Sequence, residues 1–547
     1  MGHTLKNKTM RTSLLLIFLL ILNGTAFADT HTAEDCQNTV AHPHVQDAVD
    51  AAAANDTVAV PAGSCTWTSA VTVTKGIILQ GSGRDTTLIT SNLTGSGGLI
   101  EYQPSEAAVT ADDPFIVTGF TIDLNDLSSG VNGVMLRNSQ TTPTTKTRIH
   151  HNTFKNALSG GTKRLIYRIG LVNGVVDNNI FQQCNHCVDG EGTTTSWPNE
   201  SLDYGSAANF YIEDNTFTNN DLTYAAVFSA AGTGGRYVIR YNTMTQTGTE
   251  RNVTTPFDIH GGQYTTFGSM VHEVYGNNWT LKPINNGNQL MDQRGGKLLM
   301  FMNQLATHTA TTGHYFGVRE EYSDNLFPKV NSYTQHVNSS YYWANRNTTL
   351  GTLISTTIGA ENCCANTEAW AGTHVYTANY CRNFSGDTGG NCWKTVSGGT
   401  SGGDEPNWAG TSAGSSLAGD GTVTWLNMGT SDTPLVANTD LWVQGASFDG
   451  STGVGCGTLA ARPATCTTGV GYWATSQSCS DLTGLVGTSP TTPISGTLYK
   501  CTSTNTWTAY YTPYTYPHPL RGPFYPSATT GAGPTGYLNQ GPVVTIY

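Results

Sequence analysis

Only 12% of the 547 residues are charged, yet Arg168, Asp258, His260, Asp292, Arg294, Arg319 and Glu321 recur in short apolar segments through the middle of the chain. The segments are Leu165-Ile-Tyr-Arg168, Phe257-Asp-Ile-His260, Met291-Asp-Gln-Arg294 and Val318-Arg-Glu-Glu321, with Cys187-Val-Asp189 and Ala226-Val-Phe228 as their counterparts. Strand alternation puts Phe257 and Ile259 on one face and Asp258 and His260 on the other. Strands stacked about 4.8 Å apart would gather these acids, cations and an imidazole into one outward patch. Such a mixture can bind a metal, orient a sugar carboxylate or move a proton. The same charges can also form ordinary cross-strand pairs, each worth a few tenths of a kcal/mol up to about 1 kcal/mol. His260 precedes Gly261-Gly262 and Arg294 precedes Gly295-Gly296, and glycine beside a polar side chain leaves room for a ligand, which favours function.

A repeat must position these residues. An apolar residue, a few mostly polar ones, Asn, any residue and an apolar residue recur as Ile149-His-His-Asn152-Thr-Phe154, Val176-Asp-Asn-Asn179-Ile-Phe181 and Ile212-Glu-Asp-Asn215-Thr-Phe217. The series continues as Ile239-Arg-Tyr-Asn242-Thr-Met244, Val274-Tyr-Gly-Asn277-Asn-Trp279 and Met300-Phe-Met-Asn303-Gln-Leu305, with Asn345 a seventh member. Strand-length pieces recurring roughly every thirty residues, with no helical pattern between them, predict stacked coils that each add one strand to several parallel sheets. The Asn is expected at the same corner of every coil, in a left-handed backbone conformation, its amide bonded to the Asn above and below. Counted from that corner, the seven charged residues fall near one phase and are expected to share a face.

Composition supports this reading. Hydrophobic residues make up 38% and Gly numbers 62, which fits a folded, mostly β chain with many turns. The net charge of −12 and the lack of a basic stripe argue against nucleic acid. Lys6, Lys8 and Arg11 before the apolar run Leu14 to Leu22, and Ala26-Phe27-Ala28 before Asp29, predict a cleaved export leader over residues 1–28. That run is too short to span a bilayer, so the expected location is extracellular, with no membrane span. Twelve cysteines then read as disulfides. Nearest-neighbour pairing suggests Cys36 with Cys65, Cys184 with Cys187, Cys456 with Cys466 and Cys479 with Cys501, leaving Cys363, Cys364, Cys381 and Cys392 unassigned.

Val45, Ala48, Val49, Ala52 and Ala53 fall on one face of a short helix suited to covering the end of a solenoid. Thr57-Val-Ala-Val-Pro-Ala-Gly-Ser-Cys65, Val71-Thr-Val73, Gly76-Ile-Ile-Leu-Gln-Gly-Ser-Gly83 and Phe115-Ile-Val-Thr-Gly-Phe-Thr-Ile122 read as the first coils. The helix, the Val-Pro-Ala-Gly strand, the Leu79-Gln-Gly-Ser-Gly turn and the Asn series resemble the right-handed parallel β-helix of the pectate lyase-like superfamily, over roughly residues 36 to 350. That resemblance implies an all-β solenoid with a helical cap, and polysaccharide chemistry, commonly β-elimination from a uronic acid. It makes Arg294 or Arg319 the candidate base or carboxylate clamp and His260 a proton donor or alternative base. Arg168, Asp258 and Asp292 become substrate contacts, and Asp258, Asp292 and Glu321 become ligands for Ca²⁺. Arginine is ordinarily a poor base, so that role needs calcium or neighbouring cations. The paired-Asp and Gly-His-Gly signatures of polygalacturonase-type hydrolases and the Arg-x-Pro-x-x-Arg pattern of calcium-dependent pectate lyases are missing, and no known catalytic set carries over.

Beyond about residue 360 Cys, Gly and Trp become dense. Residues 29–361 are read as the β-helix, 362–432 as an inserted Cys/Trp-rich β module, and 433–547 as a last coil and disulfide-rich strap. Trp370, Trp393, Trp408, Trp425, Trp442, Trp473 and Trp507 all lie there; indoles serve as sugar platforms when exposed and as small cores when buried, the commoner case. The expectation is a secreted protein acting on an acidic extracellular polysaccharide, a lyase, with its charged stripe in a groove walled by the longer coils. The alternatives are a non-catalytic, adhesin-like glycan binder, a glycoside hydrolase on the same fold, and a tailspike-like depolymerase, which the leader opposes.

Overall fold

Between Thr30 and Val443 the chain lays down short strands that join three long sheets in rotation. The computed structural model describes residues 28–522 apart from 128–129, 159–162, 193–200, 220–227, 231–233, 247–255, 262–267, 282–288, 308–314, 320–336, 360–366, 378–379, 413 and 431–434. The predicted leader lies almost wholly outside them. Among the described residues the first sheet has twelve strands, from Thr30–Thr32 to Leu441–Val443; the second has eleven, from Gly63–Trp67 to Thr352–Leu353; the third has ten, from Val71–Val73 to Ser355–Ile358. Phe210–Glu213 in the first sheet, for example, is followed by Thr216–Asn219 in the second, Phe228–Ala230 in the third and Arg236–Arg240 in the first again. Neighbours pair in parallel except Arg346–Asn347 with Thr352–Leu353. Among the described residues no helix is long and apolar enough to cross a membrane.

Alternation turns one side chain in two towards a core shared by all three sheets. The register stacks like on like there: Phe154 beside Phe181 and Phe217, then Met244, Trp279 and Leu305. The Phe181 and Phe217 rings lie parallel with centroids 4.6 Å apart. Helix His44–Ala51 packs on the earliest strands and buries Val45, Ala48 and Val49.

The asparagine series lies at the bend from the first sheet to the second, and all seven members are buried. Asn179 Oδ1 accepts from the Asn152 backbone N–H (3.0 Å) and from its Nδ2 (3.1 Å). The same double bond repeats through Asn215, Asn242, Asn277 and Asn303 to Asn345. The left-handed residue, however, is the one before each Asn: His151, Asn178, Asp214, Tyr241, Gly276, Met302 and Ala344 all have positive φ. That residue bends the chain, and the bend swings the following Asn inwards, where its amide replaces the hydrogen bonds that a sheet would otherwise supply.

The chain later forms a five-stranded sheet of Thr367–Glu368, Cys381–Phe384, Asn391–Ser397, Val423–Thr430 and Ser416–Asp420 around Phe384, Trp393, Trp408 and Trp425. It then rejoins the first sheet at Leu441–Val443, beside Ser340–Trp343. A four-stranded sheet (Val454–Gly457, Gly471–Ala474, Thr497–Ser503, Thr506–Tyr511) and the segment after it cover the outer face of the first sheet. Arg240, ion-paired with Glu213 and fully buried, donates to the carbonyls of Tyr514 (2.7 Å) and Thr515 (2.9 Å). Trp393, Trp425 and Trp473 are likewise buried; they fill cores and present no platform to solvent.

Cys36–Cys65 and Cys184–Cys187 are bonded as expected. The other two expected pairs are wrong: Cys456 joins Cys479 and Cys466 joins Cys501. Cys466 lies in the connection between two parallel strands, and its N–H donates to Asn505 Oδ1 (3.0 Å) while its carbonyl accepts from the Asn505 N–H (2.9 Å), holding it against the hairpin that carries Cys501. Proximity along the chain is a poor guide where strands cross over. Cys392 is also disulfide-bonded, whereas Cys363 and Cys364 lie outside the described residues.

Candidate functional site

A register column runs across the third sheet through Tyr167, Asp189, Ser229, Asp258, Asp292 and Gly317, and Tyr167, Asp189, Asp258 and Asp292 lie on its outward face. His260, Arg294 and Arg319 follow at the ends of their strands, where Arg294 N–H donates to the Ile259 carbonyl and Arg319 N–H to that of Gln293, both at 2.9 Å. Five of the residues expected on this face therefore meet.

Arg294 is their hub. Its Nη2 donates to Asp258 Oδ1 (2.7 Å) and Oδ2 (2.8 Å), its Nε to Asp258 Oδ1 (3.1 Å), and its Nε lies 3.6 Å from Asp292 Oδ2. Arg319 Nη2 donates to Asp292 Oδ2 at 2.7 Å. His260 Nε2 lies 3.0 Å from Asp258 Oδ2 and 2.7 Å from Arg294 Nη2, and its Nδ1 lies 2.9 Å from the same Nη2. Burial pushes the Asp258 carboxyl up, but His260 and Arg294 outweigh burial and hold it well below the usual carboxylate range. These side chains are largely sheltered, Arg319 the least so at 28% exposure.

Arg168 does not belong to this face. Tyr167, not Arg168, pairs with Asp189, so Arg168 points into the core, 2% exposed. Its Nε donates to the Val172 carbonyl (2.8 Å), and its guanidinium lies over the Tyr237 ring. The count from the corner Asn failed because the connections between the second and third sheets differ in length. Ala157 to Arg164 is a long crossing, whereas Cys184 to His186 is a single turn closed by a disulfide. Glu321 and the segments that would wall a groove lie outside the described residues.

Of the three residues expected to hold Ca²⁺, only Asp258 and Asp292 are among the described residues, and as placed those two do not offer it a site. The carboxylates of Asp258 and Asp292 are engaged by guanidinium groups, and two arginines repel a dication, which would seek six to eight oxygens.

A second charged group, which counting from the corner also missed, lies on the same face. Arg164 pairs with Asp189 and stacks over the Tyr167 ring at 4.2 Å. The Tyr167 hydroxyl donates to Glu191 at 2.8 Å, and His186 Nδ1 lies 3.9 Å from Asp189. The available signal was Asp189 itself, in a segment aligned with the other strands.

No family model and no curated protein matches this chain. Among solved structures, "Geobacillus virus E2 - ORF18" is 14% identical with a TM-score of 0.31, over 75% of this chain and 79% of that one. A likeness at that score carries no argument about fold or function.

Proposed function

We propose that this protein is a secreted right-handed parallel β-helix of the pectate lyase-like kind, capped by helix His44–Ala51, whose third-sheet face cleaves an acidic extracellular polysaccharide by β-elimination. The rotation of strands through three parallel sheets and the asparagine ladder support the fold. The contact between Asp258, His260 and Arg294 carries the activity.

Arg294 and Arg319 would clamp the uronate carboxylate and make the proton at C5 more acidic. In the free protein Arg294 Nη2 lies 2.9 Å from His260 Nδ1 and 2.7 Å from its Nε2; a substrate carboxylate that draws Arg294 away would let the imidazole accept the C5 proton. The electron pair of that C–H bond becomes the C4–C5 double bond, the bond from C4 to the glycosidic oxygen breaks, and the leaving oxygen takes a proton from solvent. Asp258 orients the imidazole and stabilises the imidazolium, as a carboxylate does in other acid–base pairs. His260 is thus a better base than either arginine, whose guanidinium stays protonated.

A glycosidase fits less well, because it needs one carboxylic acid kept protonated, whereas Asp258 is held ionised. Non-catalytic glycan binding is the second reading, favoured by the fact that Arg294 and Arg319 already face carboxylates. The test is the ultraviolet absorbance of an unsaturated uronate product on a panel of acidic polysaccharides. His260→Gln should lower kcat by about 10²–10⁴, and Arg294→Ala should abolish product. Wild-type binding without product would refute the lyase and leave the binder.

A further inference from the structure

The two charged groups on the third sheet repeat each other in reverse. Arg164 belongs to strand Arg164–Gly170, and Asp189 and His186 to the next strand of the sheet, His186–Glu191. After the intervening strand Phe228–Ala230, Asp258 and His260 lie on one strand and Arg294 at the end of the next. Across the sheet the order is Arg, Asp with His, an intervening strand, Asp with His, Arg. Along the strands it inverts as well: His186 and Arg164 precede the register column, whereas His260 and Arg294 follow it. The side chains thus have an approximate two-fold arrangement about the strand that carries Ser229, and the two aspartates stand two strand spacings apart, about 10 Å.

The groups differ in one respect. His260 is engaged through both ring nitrogens, whereas His186 Nδ1 is shielded from solvent and has no hydrogen-bond partner among the described residues. A buried imidazole nitrogen left without a partner costs free energy, and a turn of the His186 ring that brings this nitrogen to the surface would let a ligand hydroxyl recover it. Beside it, the Arg164 guanidinium stacked on Tyr167 presents a flat, amphipathic surface of the kind that sugar rings use.

We propose that Arg164, Tyr167, His186 and Asp189 form a second sugar-binding position, so that a linear glycan runs across the strands from this group to the one around His260. The proposal rests on the reading of this face as a glycan site. It makes Tyr167 and His186 positioning residues that hold a sugar remote from the bond being cleaved.

The test uses the full chain and oligogalacturonates, alginate fragments and hyaluronan fragments of graded length, with wild type, Tyr167→Ala, His186→Ala and His186→Gln at matched thermal midpoints. For long fragments, KM or the dissociation constant should rise about tenfold in the first two variants with kcat unchanged. The shortest bound fragment should be unaffected, and His186→Gln should recover part of the loss. An equal loss at every length, a fall in kcat at constant KM, or no change would overturn the second position alone. Failure of the wild type to bind any of the glycans would overturn the reading of the face, and this proposal with it. If Tyr167→Ala fails to fold, the His186 pair carries the test.

Discussion

Replacing Asn242 with alanine should destabilise the protein by about 3–5 kcal/mol, and the ladder geometry sets that figure. Asn242 Oδ1 accepts from the Asn215 N–H (3.0 Å) and Nδ2 (3.1 Å), while its own Nδ2 donates to Ile212 O (2.9 Å), Arg240 O (3.0 Å) and Asn277 Oδ1 (3.0 Å). Without the side chain, the buried Asn215 N–H loses its acceptor outright, at about 1–3 kcal/mol, and the other bonds are lost at about 0.5–1.5 kcal/mol each, partly offset where a second partner remains. Asn215 Nδ2, for instance, keeps Val176 O and Glu213 O. Denaturant unfolding followed by tryptophan fluorescence gives the global change. Hydrogen exchange at the Asn215 amide gives the local one, which matters because stacked repeats can open in parts. A loss below about 1 kcal/mol with unchanged exchange would refute the reasoning and mean that water or backbone relaxation replaces the amide.

Burial raises the Glu273 carboxyl to about 7, although the Gly205 N–H and the Tyr511 hydroxyl donate to it. The folded state therefore holds this proton more tightly than the unfolded chain, and stability falls as pH rises from the unfolded value through 7, by about 3 kcal/mol. Glu273→Gln should remove most of that fall in melts between pH 5 and 8.5, and an unchanged pH profile would count against it. Arg240→Ala leaves Glu213 buried beside a cut pair and should cost about 3–5 kcal/mol, read as a lower denaturation midpoint; a loss near zero would mean that Arg521, which also contacts Glu213, suffices. Cys466→Ser with Cys501→Ser should cost about 2–5 kcal/mol and expose the segment after Thr506 to proteolysis before the rest, and uniform resistance would contradict that order.

The repeat was legible because its cause is local. An inward Asn followed two residues later by an apolar residue states the period, and the alternation around Asp258 and His260 states which side chains leave the core. The backbone conformation at the bend was misassigned by one residue, since Asn tolerates left-handed geometry but here takes the inward position, and His151 or Tyr241 accepts the strain. The covering of the first sheet by residues 454–522 left only diffuse signs in sequence: Arg240 meets the Tyr514 and Thr515 carbonyls, a contact that no periodicity records.

The sequence by itself determined the parallel-strand repeat, the asparagine ladder and the meeting of Asp258, His260, Asp292, Arg294 and Arg319, because alternation and period act over a few residues. Tertiary structure decided three things: that Arg168 turns inwards while Tyr167 faces out, that Cys466 finds Cys501, and that Arg164, His186 and Asp189 join the charged face. The first and third depend on the length of a connection between sheets, and the second on a crossover within one sheet. A change of one residue in a connection between sheets reverses the face on which a side chain emerges, and only the closed register reveals it.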